Sequence, residues 1–249
     1  MSDRGRCPGG AGPGQAYVWA LAGVEVGVAK RAVDVVLGTL AAVVTLPLTV
    51  LLALVLAIEL RAWPFFVQER VGLGGRIVRV VKLRTLPPTT PTDADKYALR
   101  EVEIPPFAAR LRQLHLDELP QLWLVVLGTM SLVGPRPEMP SLHSSFTPSV
   151  QSERAQVRPG CTGLWQVSDA AGGLMHEHPE YDLAYVRAVS LRLDAWILWR
   201  TVGLLVGRHR PVTLAEAPLR PRVPEVLVLD EPASSVAPVA VTVDDPVHR

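Results

Sequence analysis

Two adjacent carboxylates lie in the middle of an apolar segment of this sequence. Residues 114–123 read LHLDELPQLW, so Asp117 and Glu118 have leucines on both sides. An adjacent acidic pair is usually a solvated helix end, because the two charges repel each other and each prefers water. The leucines indicate partial burial instead, and a buried pair requires a nearby cation to offset its lost hydration. The spacing alone does not separate a catalytic role from a structural one.

Carboxylates next to a cation are suited to chemistry on phosphorus. An aspartate can be a covalent nucleophile toward a phosphoryl group, and Mg²⁺ held by carboxylate and phosphate oxygens neutralises the charge that develops. Asp117 and Glu118 are therefore candidates for a catalytic pair and for Mg²⁺ ligands, with a structural role still open. His176 and His178 offer no competing metal site, because residues two apart do not share a helix face.

Several basic residues are candidates for binding phosphate. Arg136 stands between the two prolines of GPRP (134–137), which stiffen the loop and pre-organise a guanidinium suited to a diphosphate. The alternative for Arg136 is a salt bridge in a structural turn. Lys82, Arg112 and Arg158 are weaker candidates, and each is equally compatible with an ordinary surface charge.

Short elements are predicted to position these residues. Two sheet-like runs, 65–71 and 77–84, are joined by LGG (73–75), which predicts a β-hairpin. The rest of the chain alternates between helical and irregular patterns. Helix is predicted over 96–130, with a break near 105–106, and again from 180 to about 206. Between them, residues 131–140 are predicted to be irregular, and residues 157–167 to be a loop with strand character at its end. The predicted fold class is mainly α with a small β-hairpin.

One uncharged apolar block, Val35 to Ile58, is long enough to enter a membrane. A single transmembrane helix is the simplest interpretation. Pro47 near its midpoint favours a break, however, and each half of about 12 residues reaches roughly 18 Å, only to the centre of a bilayer core of about 30 Å. Basic residues flank the block on both sides, which fits two ends on the same face. Thr45 is placed to cap a carbonyl freed by the proline. Both topologies remain open from the residues alone.

Composition limits the remaining possibilities. A net charge of +1 gives no reason to expect a nucleic-acid partner. Two cysteines, Cys7 and Cys161, are too few for a disulfide framework and fit a reducing, cytoplasm-facing location. Residues 1–29 are predicted to be a flexible leader, and the proline-rich residues 207–249 a disordered tail. Tryptophans and arginines over 180–206 are typical of an amphipathic helix at a membrane interface or of an ordinary core helix.

In combination, five segments resemble the monotopic polyprenyl-phosphate hexose-1-phosphate transferases, the bacterial sugar transferases. They are, in chain order, KRAVDVVLGTLAAVVTLP, FFVQERVGLGGRIVRVVKLRTL, LDELPQLW, MSLVGPRPE and VRPGCTGLWQV. The resemblance covers about residues 30–206, and it implies a transferase domain that begins with a re-entrant helix–break–helix over 30–62. It also implies a monotopic protein on the inner membrane, with its catalytic domain facing the cytoplasm.

The resemblance implies a two-step exchange. Asp117 would attack the sugar-linked phosphate of a UDP-sugar and release UMP, and polyprenyl (undecaprenyl) phosphate would then accept the phosphosugar. The product would initiate a lipid-linked glycan or exopolysaccharide. Glu118 would assist through Mg²⁺ or as acid and base, and Arg136 would contact phosphate, with Arg112, Lys82 and Arg158 as weaker candidates. The bilayer is an expected partner, and a homodimer is left open.

Some residues depart from the family pattern. Leu46 stands before Pro47 where serine is usual, and GLWQVSDA (163–170) replaces a segment associated with nucleotide or sugar binding, in which Gln166 is the expected substrate contact. These changes leave the donor sugar open. Two rival hypotheses also remain: a catalytically impaired, membrane-anchored interaction protein, and a one-step transferase in which Asp117 only binds metal.

Overall fold

The computed structural model describes residues 13–90 and 102–220, with side chains described from residue 27. The first 12 residues of the predicted leader, residues 91–101 and the tail from residue 221 lie outside the described residues. The described helices are α1 (Pro13–Leu60), α2 (Pro106–Gln113), α3 (Gln121–Leu127), α4 (Pro140–His143), α5 (Pro148–Arg154), α6 (Pro179–Ala188) and α7 (Leu191–Leu205). The described strands are β1 (Phe65–Val71), β2 (Ile77–Leu83), β3 (Ser131–Val133) and β4 (Gly160–Thr162). The prediction of a mainly helical fold with a small hairpin is confirmed at this level.

Helix α1 is long and continuous. It begins at Pro13, so it includes residues 13–29 that composition had assigned to the flexible leader. Pro47 lies inside it without ending it, so the two-helix break expected there is not present in α1. The Thr45 hydroxyl donates to the Ala41 carbonyl at 2.7 Å, whereas the carbonyl that a proline at 47 leaves without its usual donor is that of Val43. The expected Thr45 cap is therefore not formed, and the re-entrant course stays a prediction.

One stripe of α1 packs against the rest of the protein over most of the helix. The buried residues recur at helical spacing and are Asp34, Ala42, Thr49, Leu52, Ala53 and Leu56. The remaining faces expose large apolar side chains, and among the described helices α1 is long and apolar enough over Gly27–Leu60 to cross a membrane. Because both the Asp34 end and the Leu56 end contact the same folded body, the two ends lie beside one domain.

The predicted hairpin is confirmed. Strands β1 and β2 pair antiparallel, with Phe66 opposite Lys82 and Arg70 opposite Val78. The turn contains two glycines with positive φ, 66° at Gly74 and 74° at Gly75, where a side chain would be strained.

A second, parallel strand pair corrects the prediction that residues 131–140 are irregular throughout. Strand β3 pairs with β4, with Ser131 opposite Gly160 and Val133 opposite Thr162. A Cβ at Gly160 would lie 2.1 Å from the Gly134 nitrogen, and a Cβ at Gly134 would lie 2.3 Å from the Arg158 carbonyl oxygen. Only glycine allows the two chains to approach this closely, so the segment containing GPRP is fixed against the segment containing VRPG.

Local signals explain where the central helices begin and end. Pro106 occupies the first turn of α2, where its missing N–H costs no hydrogen bond. Gly128 ends α3 with φ 85°, and its N–H donates to the last carbonyls of the helix. The helix predicted from 180 to 206 is two helices, because the Ser190 hydroxyl caps a new helix by accepting from Leu193 N.

The described residues form two apolar clusters. The larger contains Val125, Val133, Leu164, Tyr185 and Ile197, so it joins α3, β3, α6 and α7. The smaller joins Leu52, Ala53 and Leu56 of α1 to Leu83, Ala108 and Leu111, with Leu116 and Leu119 packed against it.

The prediction that residues 207–249 are a disordered tail is wrong for residues 207–220. Val212 is only 3% exposed and belongs to the larger cluster. Its backbone pairs in parallel with Ser168. Proline-rich composition predicted disorder because it removes regular hydrogen bonding, but a few apolar side chains at the right positions supply enough burial to order this segment.

Candidate active site

A cleft of about 670 Å³ opens between the hairpin, the turn that contains Asp117, the segment 134–142 and the segment 161–176. Its volume is within the usual range for small-molecule sites. The predicted site residues that line it are Lys82, Arg112, Asp117, Glu118, Arg136 and Gln166. Elements far apart in sequence therefore place six of the predicted residues around one space.

The acidic pair sits on a single 3₁₀ turn, Leu116–Glu118, that is held from both sides. His115, just before it, has φ 55° in the left-handed region, an unusual conformation for a residue with a side chain. Leu116 and Leu119 pack into the smaller apolar cluster. This backbone strain and the packing together point the two carboxylates toward the cleft.

Glu118 forms an ion pair with Lys82. The distance from Lys82 Nζ to Glu118 Oε1 is 2.5 Å, and each side chain is about one-fifth exposed. Burial opposes ionisation of Glu118, but the charges of Lys82 and Arg136 outweigh it and lower its pKa to about 2. Glu118 is therefore a carboxylate at any physiological pH.

Asp117 has the opposite electrostatic character. It is 7% exposed, and no described residue makes a hydrogen bond with its carboxylate. Burial raises the pKa of Asp117, and the neighbouring charge of Glu118 raises it further, while Lys82 and Arg112 act in the other direction. The pKa of Asp117 is thus raised while that of Glu118 is lowered. This pattern is common where one carboxyl group takes part in the reaction and its neighbour supplies a negative charge.

Arg136 lies across the cleft on the proline-stiffened loop. Its guanidinium carbon is 5.6 Å from the centre of the Trp165 ring, and no described residue accepts a hydrogen bond from its side chain. Its charge also lowers the pKa of Glu118. A held guanidinium with unused donors, facing a carboxylate pair, is suited to a phosphate between them.

Arg112 and Gln166 complete the predicted set within the cleft. The Nη1 of Arg112 donates to the Thr85 hydroxyl at 3.3 Å. Both polar atoms of the Gln166 side chain are buried without a hydrogen-bond partner among the described residues. A buried amide without partners is costly, so its donors and acceptor are available to a ligand.

Arg158 is not among the described residues that line the cleft. Its Nε donates to the Gly128 carbonyl at 2.8 Å. Arg31 acts on the same helix end, donating to the Val125 and Val126 carbonyls at 2.6 and 2.8 Å. Two arginines thus satisfy the carbonyl end of α3 and interact favourably with its dipole, and the position of Arg158 does not support the predicted phosphate contact.

Sequence reasoning missed the residues that hold the GPRP loop in place. Arg154 donates to the Arg136 carbonyl at 2.8 Å and to Asp182 Oδ2 through both Nε and Nη2. Arg70 donates to the Pro137 carbonyl at 3.1 Å, and burial lowers its pKa to about 10. Gln68 and Arg70 are two residues apart on β1, which places both on one face of the hairpin and was a signal for the role of Arg70.

The donor set fits a magnesium ion only together with a substrate. No described group of three or more His, Cys, Asp or Glu residues is arranged to hold a metal ion. Mg²⁺ in phosphate chemistry, however, needs one or two carboxylates and takes its other ligands from phosphate and water. Asp117, which has no hydrogen bond from a described residue, meets that requirement, with Glu118 beside it and already paired to Lys82 on one oxygen.

Comparison with known proteins decides the family. Residues 26–208 match the bacterial sugar transferase family. The chain belongs to this family.

Three relatives of this sugar transferase carry specific names. The UDP-glucose:undecaprenyl-phosphate glucose-1-phosphate transferase of Caulobacter vibrioides is 36% identical over 191 residues, which cover 74% of this chain and 72% of the relative. A protein of the same name from Klebsiella pneumoniae is 33% identical and covered over 39% of its length. The UDP-N-acetylgalactosamine-undecaprenyl-phosphate N-acetylgalactosaminephosphotransferase of Aeromonas hydrophila is 30% identical and covered over 43%.

The expected family membership, and with it the transferase class, are confirmed. The sugar transferase spans most of the length of the Caulobacter vibrioides protein and less than half of the other two. The names of these relatives contain different sugars, so sequence similarity alone does not identify the donor sugar of this chain.

Proposed function

We propose that this sugar transferase moves a hexose-1-phosphate from a UDP-sugar to polyprenyl phosphate on the cytoplasmic face of the inner membrane. The observation that carries the proposal is the cleft in which Asp117, without a hydrogen-bond partner among described residues, lies beside ionised Glu118 and opposite Arg136. The names of the relatives support a nucleotide-sugar donor and a polyprenyl-phosphate acceptor.

In the proposed first step, a carboxylate oxygen of Asp117 attacks the phosphorus bonded to the sugar. The bond from that phosphorus to the bridging oxygen breaks, and its electron pair leaves with UMP. In the second step, a phosphate oxygen of the lipid attacks the same phosphorus and releases Asp117. Arg136 and Lys82 would hold the negative phosphate oxygens in line with the nucleophile.

Mg²⁺ is the proposed cofactor, with Asp117 and Glu118 as its protein ligands. When bound, the ion would favour the ionised form of Asp117 and balance the charge of the diphosphate. A cation that favours the ionised form of Asp117 is needed, because burial and the charge of Glu118 raise the pKa of Asp117 in the protein alone.

The course of α1 supports a monotopic arrangement. Lys30 pairs with Asp194 at 2.6 Å, near the start of the apolar stretch, and Leu56 is fully buried in the smaller cluster near its end. A transmembrane helix would carry these two points to opposite faces of the bilayer, whereas contact with one domain keeps them on the same face. We infer that both ends of the apolar stretch of α1 lie on the side of the catalytic domain, and a re-entrant course would require in addition a bend that the described α1 does not have.

The test measures UMP release from a panel of UDP-sugars by the full chain in lipid nanodiscs with undecaprenyl phosphate. Asp117→Asn is expected to lower the rate by roughly a thousandfold or more, the scale seen when a nucleophile is removed. Glu153→Gln, a carboxylate whose described partner is the exposed Arg187, is the matched control and should retain activity. Unchanged UMP release in Asp117→Asn would refute the mechanism, and no release by the unaltered chain from any donor would favour the non-enzymatic rival.

Mass spectrometry separates the two-step reaction from the one-step rival. Mixing enzyme with UDP-sugar but no lipid should add the mass of a hexose phosphate to the peptide that contains Asp117. Turnover that depends on Asp117 without any such adduct would support a direct transfer in which Asp117 only binds metal.

A further inference from the structure

The described chain continues beyond the part that matches the family. The match ends at residue 208, but residues 211–219, which we call the C-terminal strap, are packed into the fold. Val212 is 3% exposed, and Leu214, Ala217 and Leu219 pack against the larger apolar cluster. The strap therefore gains burial from the domain core rather than from its own local structure.

The strap is hydrogen-bonded to one wall of the cleft. Val212 N donates to the Val167 carbonyl at 3.1 Å, and Asp169 N donates to the Val212 carbonyl at 3.1 Å. These bonds form a parallel β-bridge at Ser168. The strap thus forms a single parallel β-bridge with a segment that has no other described strand partner.

The braced segment continues directly into ligand-facing residues on both sides. Trp165, Gln166 and Val167 line the cleft before the bridge, and Ala171, Gly173, Leu174, Met175 and His176 line it after the bridge. This second stretch contains Gly172 and Gly173, which give the chain wide conformational freedom. The bridge therefore limits the motion of the wall that carries the buried, unpartnered amide of Gln166.

The residues just before the strap and the turn within it are fixed as well. The ring of His209 lies 4.2 Å from that of Trp199, measured between ring centres. Glu216 accepts from Arg210 at 2.7 Å and from Thr213 N at 2.9 Å, which closes a compact turn. These contacts, together with the burial of Val212, hold the strap in a position from which it can support the neighbouring segment.

We propose that the C-terminal strap is a positioning element for the donor site, holding the wall 163–176 so that Gln166 meets the nucleotide-sugar in a fixed orientation. The proposal rests on the function proposed above. Pre-organised walls lower the ordering cost of binding, so loss of the strap should weaken donor binding while leaving Asp117 and its turn intact. The acceptor should be little affected, because Lys82 and Asp117 lie on other elements.

The test compares Val212→Asp with Ala215→Asp in the full chain. Both variants add one negative charge to the strap, but Val212 is buried and Ala215 is exposed, so only the first should detach the strap. Val212→Asp is expected to raise the KM for the UDP-sugar about tenfold, with kcat changed less than about threefold and the KM for polyprenyl phosphate unchanged. Ala215→Asp and the conservative Val212→Ile should match the unaltered enzyme. Equal donor KM values in Val212→Asp and Ala215→Asp would overturn the proposal.

Hydrogen–deuterium exchange supplies a second measurement that does not depend on turnover. Peptides covering 163–176 should exchange faster in Val212→Asp than in Ala215→Asp, while those covering the turn 114–123 should not change. Unchanged exchange over 163–176 would overturn the positioning role even if activity fell. An unaltered chain that releases no UMP would refute the proposed function instead, so the two failures are distinguishable.

Discussion

Replacing Lys82 by methionine tests the electrostatics of the acidic pair most directly. Methionine keeps most of the side-chain stem and removes the charge that lies 2.5 Å from Glu118. The lowering of the Glu118 pKa from 4.5 to about 2 corresponds to roughly 3 kcal/mol at about 1.4 kcal/mol per unit. Arg136 supplies part of this effect, and both partners of the pair are one-fifth exposed, so about 1–2 kcal/mol is a reasonable share for Lys82.

The sign follows from the direction of the shift. Because folding lowers the pKa of Glu118, its ionised form stabilises the protein above about pH 4.5 and this contribution disappears as the pH falls toward 2. Without Lys82, burial is opposed mainly by Arg136, so the pKa of Glu118 rises. Lys82 also lowers the pKa of Asp117, which must therefore rise too. Both changes reduce the ionised fraction of the pair at a given pH.

The expected result is a shift of the acid limb of the pH profile. The value of kcat/KM for UMP release, measured between about pH 5 and 9, should reach half its maximum at a higher pH in Lys82→Met, because the pKa of Asp117 rises. Arg79→Met is the matched control, because it removes an exposed cation from the same strand. An acid limb at the same pH in Lys82→Met and the unaltered enzyme would refute the claim that Lys82 keeps the pair ionised.

Two further predictions concern residues outside the cleft. Asp182→Asn should raise the donor KM more than it lowers kcat, because Asp182 holds the Arg154 that binds the Arg136 carbonyl. Burial raises the pKa of Asp182 to about 6, so the native carboxyl is largely protonated at pH 5. The kinetic difference between Asp182→Asn and the unaltered enzyme should therefore be smaller at pH 5 than at pH 8. Gly203→Ala should lower the thermal unfolding temperature, since an added Cβ would lie 1.8 Å from His209 Nδ1, at an overpacking cost of about 1–3 kcal/mol. His209→Ala should restore most of that loss, and a double variant no more stable than Gly203→Ala would contradict this reading of the contact.

Sequence patterns predicted the features that depend on local rules. The hairpin followed from two extended runs around glycines, and the structure has positive φ at Gly74 and Gly75. Asp117, Glu118 and Arg136 were selected because their residue types suit phosphate chemistry, and they meet in one cleft. The break between α6 and α7 was not predicted, although Ser190 is a favoured N-cap and so a local signal for it was present.

Features that depend on distant contacts were not predictable. Strands of three residues carry no periodic signal, so the pairing of β3 with β4 was not visible in the sequence. An arginine such as Arg158 satisfies a phosphate or a helix carbonyl with the same donors, and only the fold shows that Gly128 is its partner. The strap was assigned to the tail because its proline content is high, whereas its order depends on the burial of a few apolar residues, of which Val212 is the most buried.

The smaller apolar cluster links α1 to the turn that holds the acidic pair. Leu52 and Leu56 of α1 share it with Leu116 and Leu119, the residues on either side of the pair. In the arrangement proposed above, a tilt or axial shift that bilayer thickness imposes on α1 would be transmitted through these apolar contacts to the turn that holds Asp117. The lipid environment would then tune the alignment of the proposed nucleophile, and activity in a thin detergent belt is expected to fall before the protein unfolds.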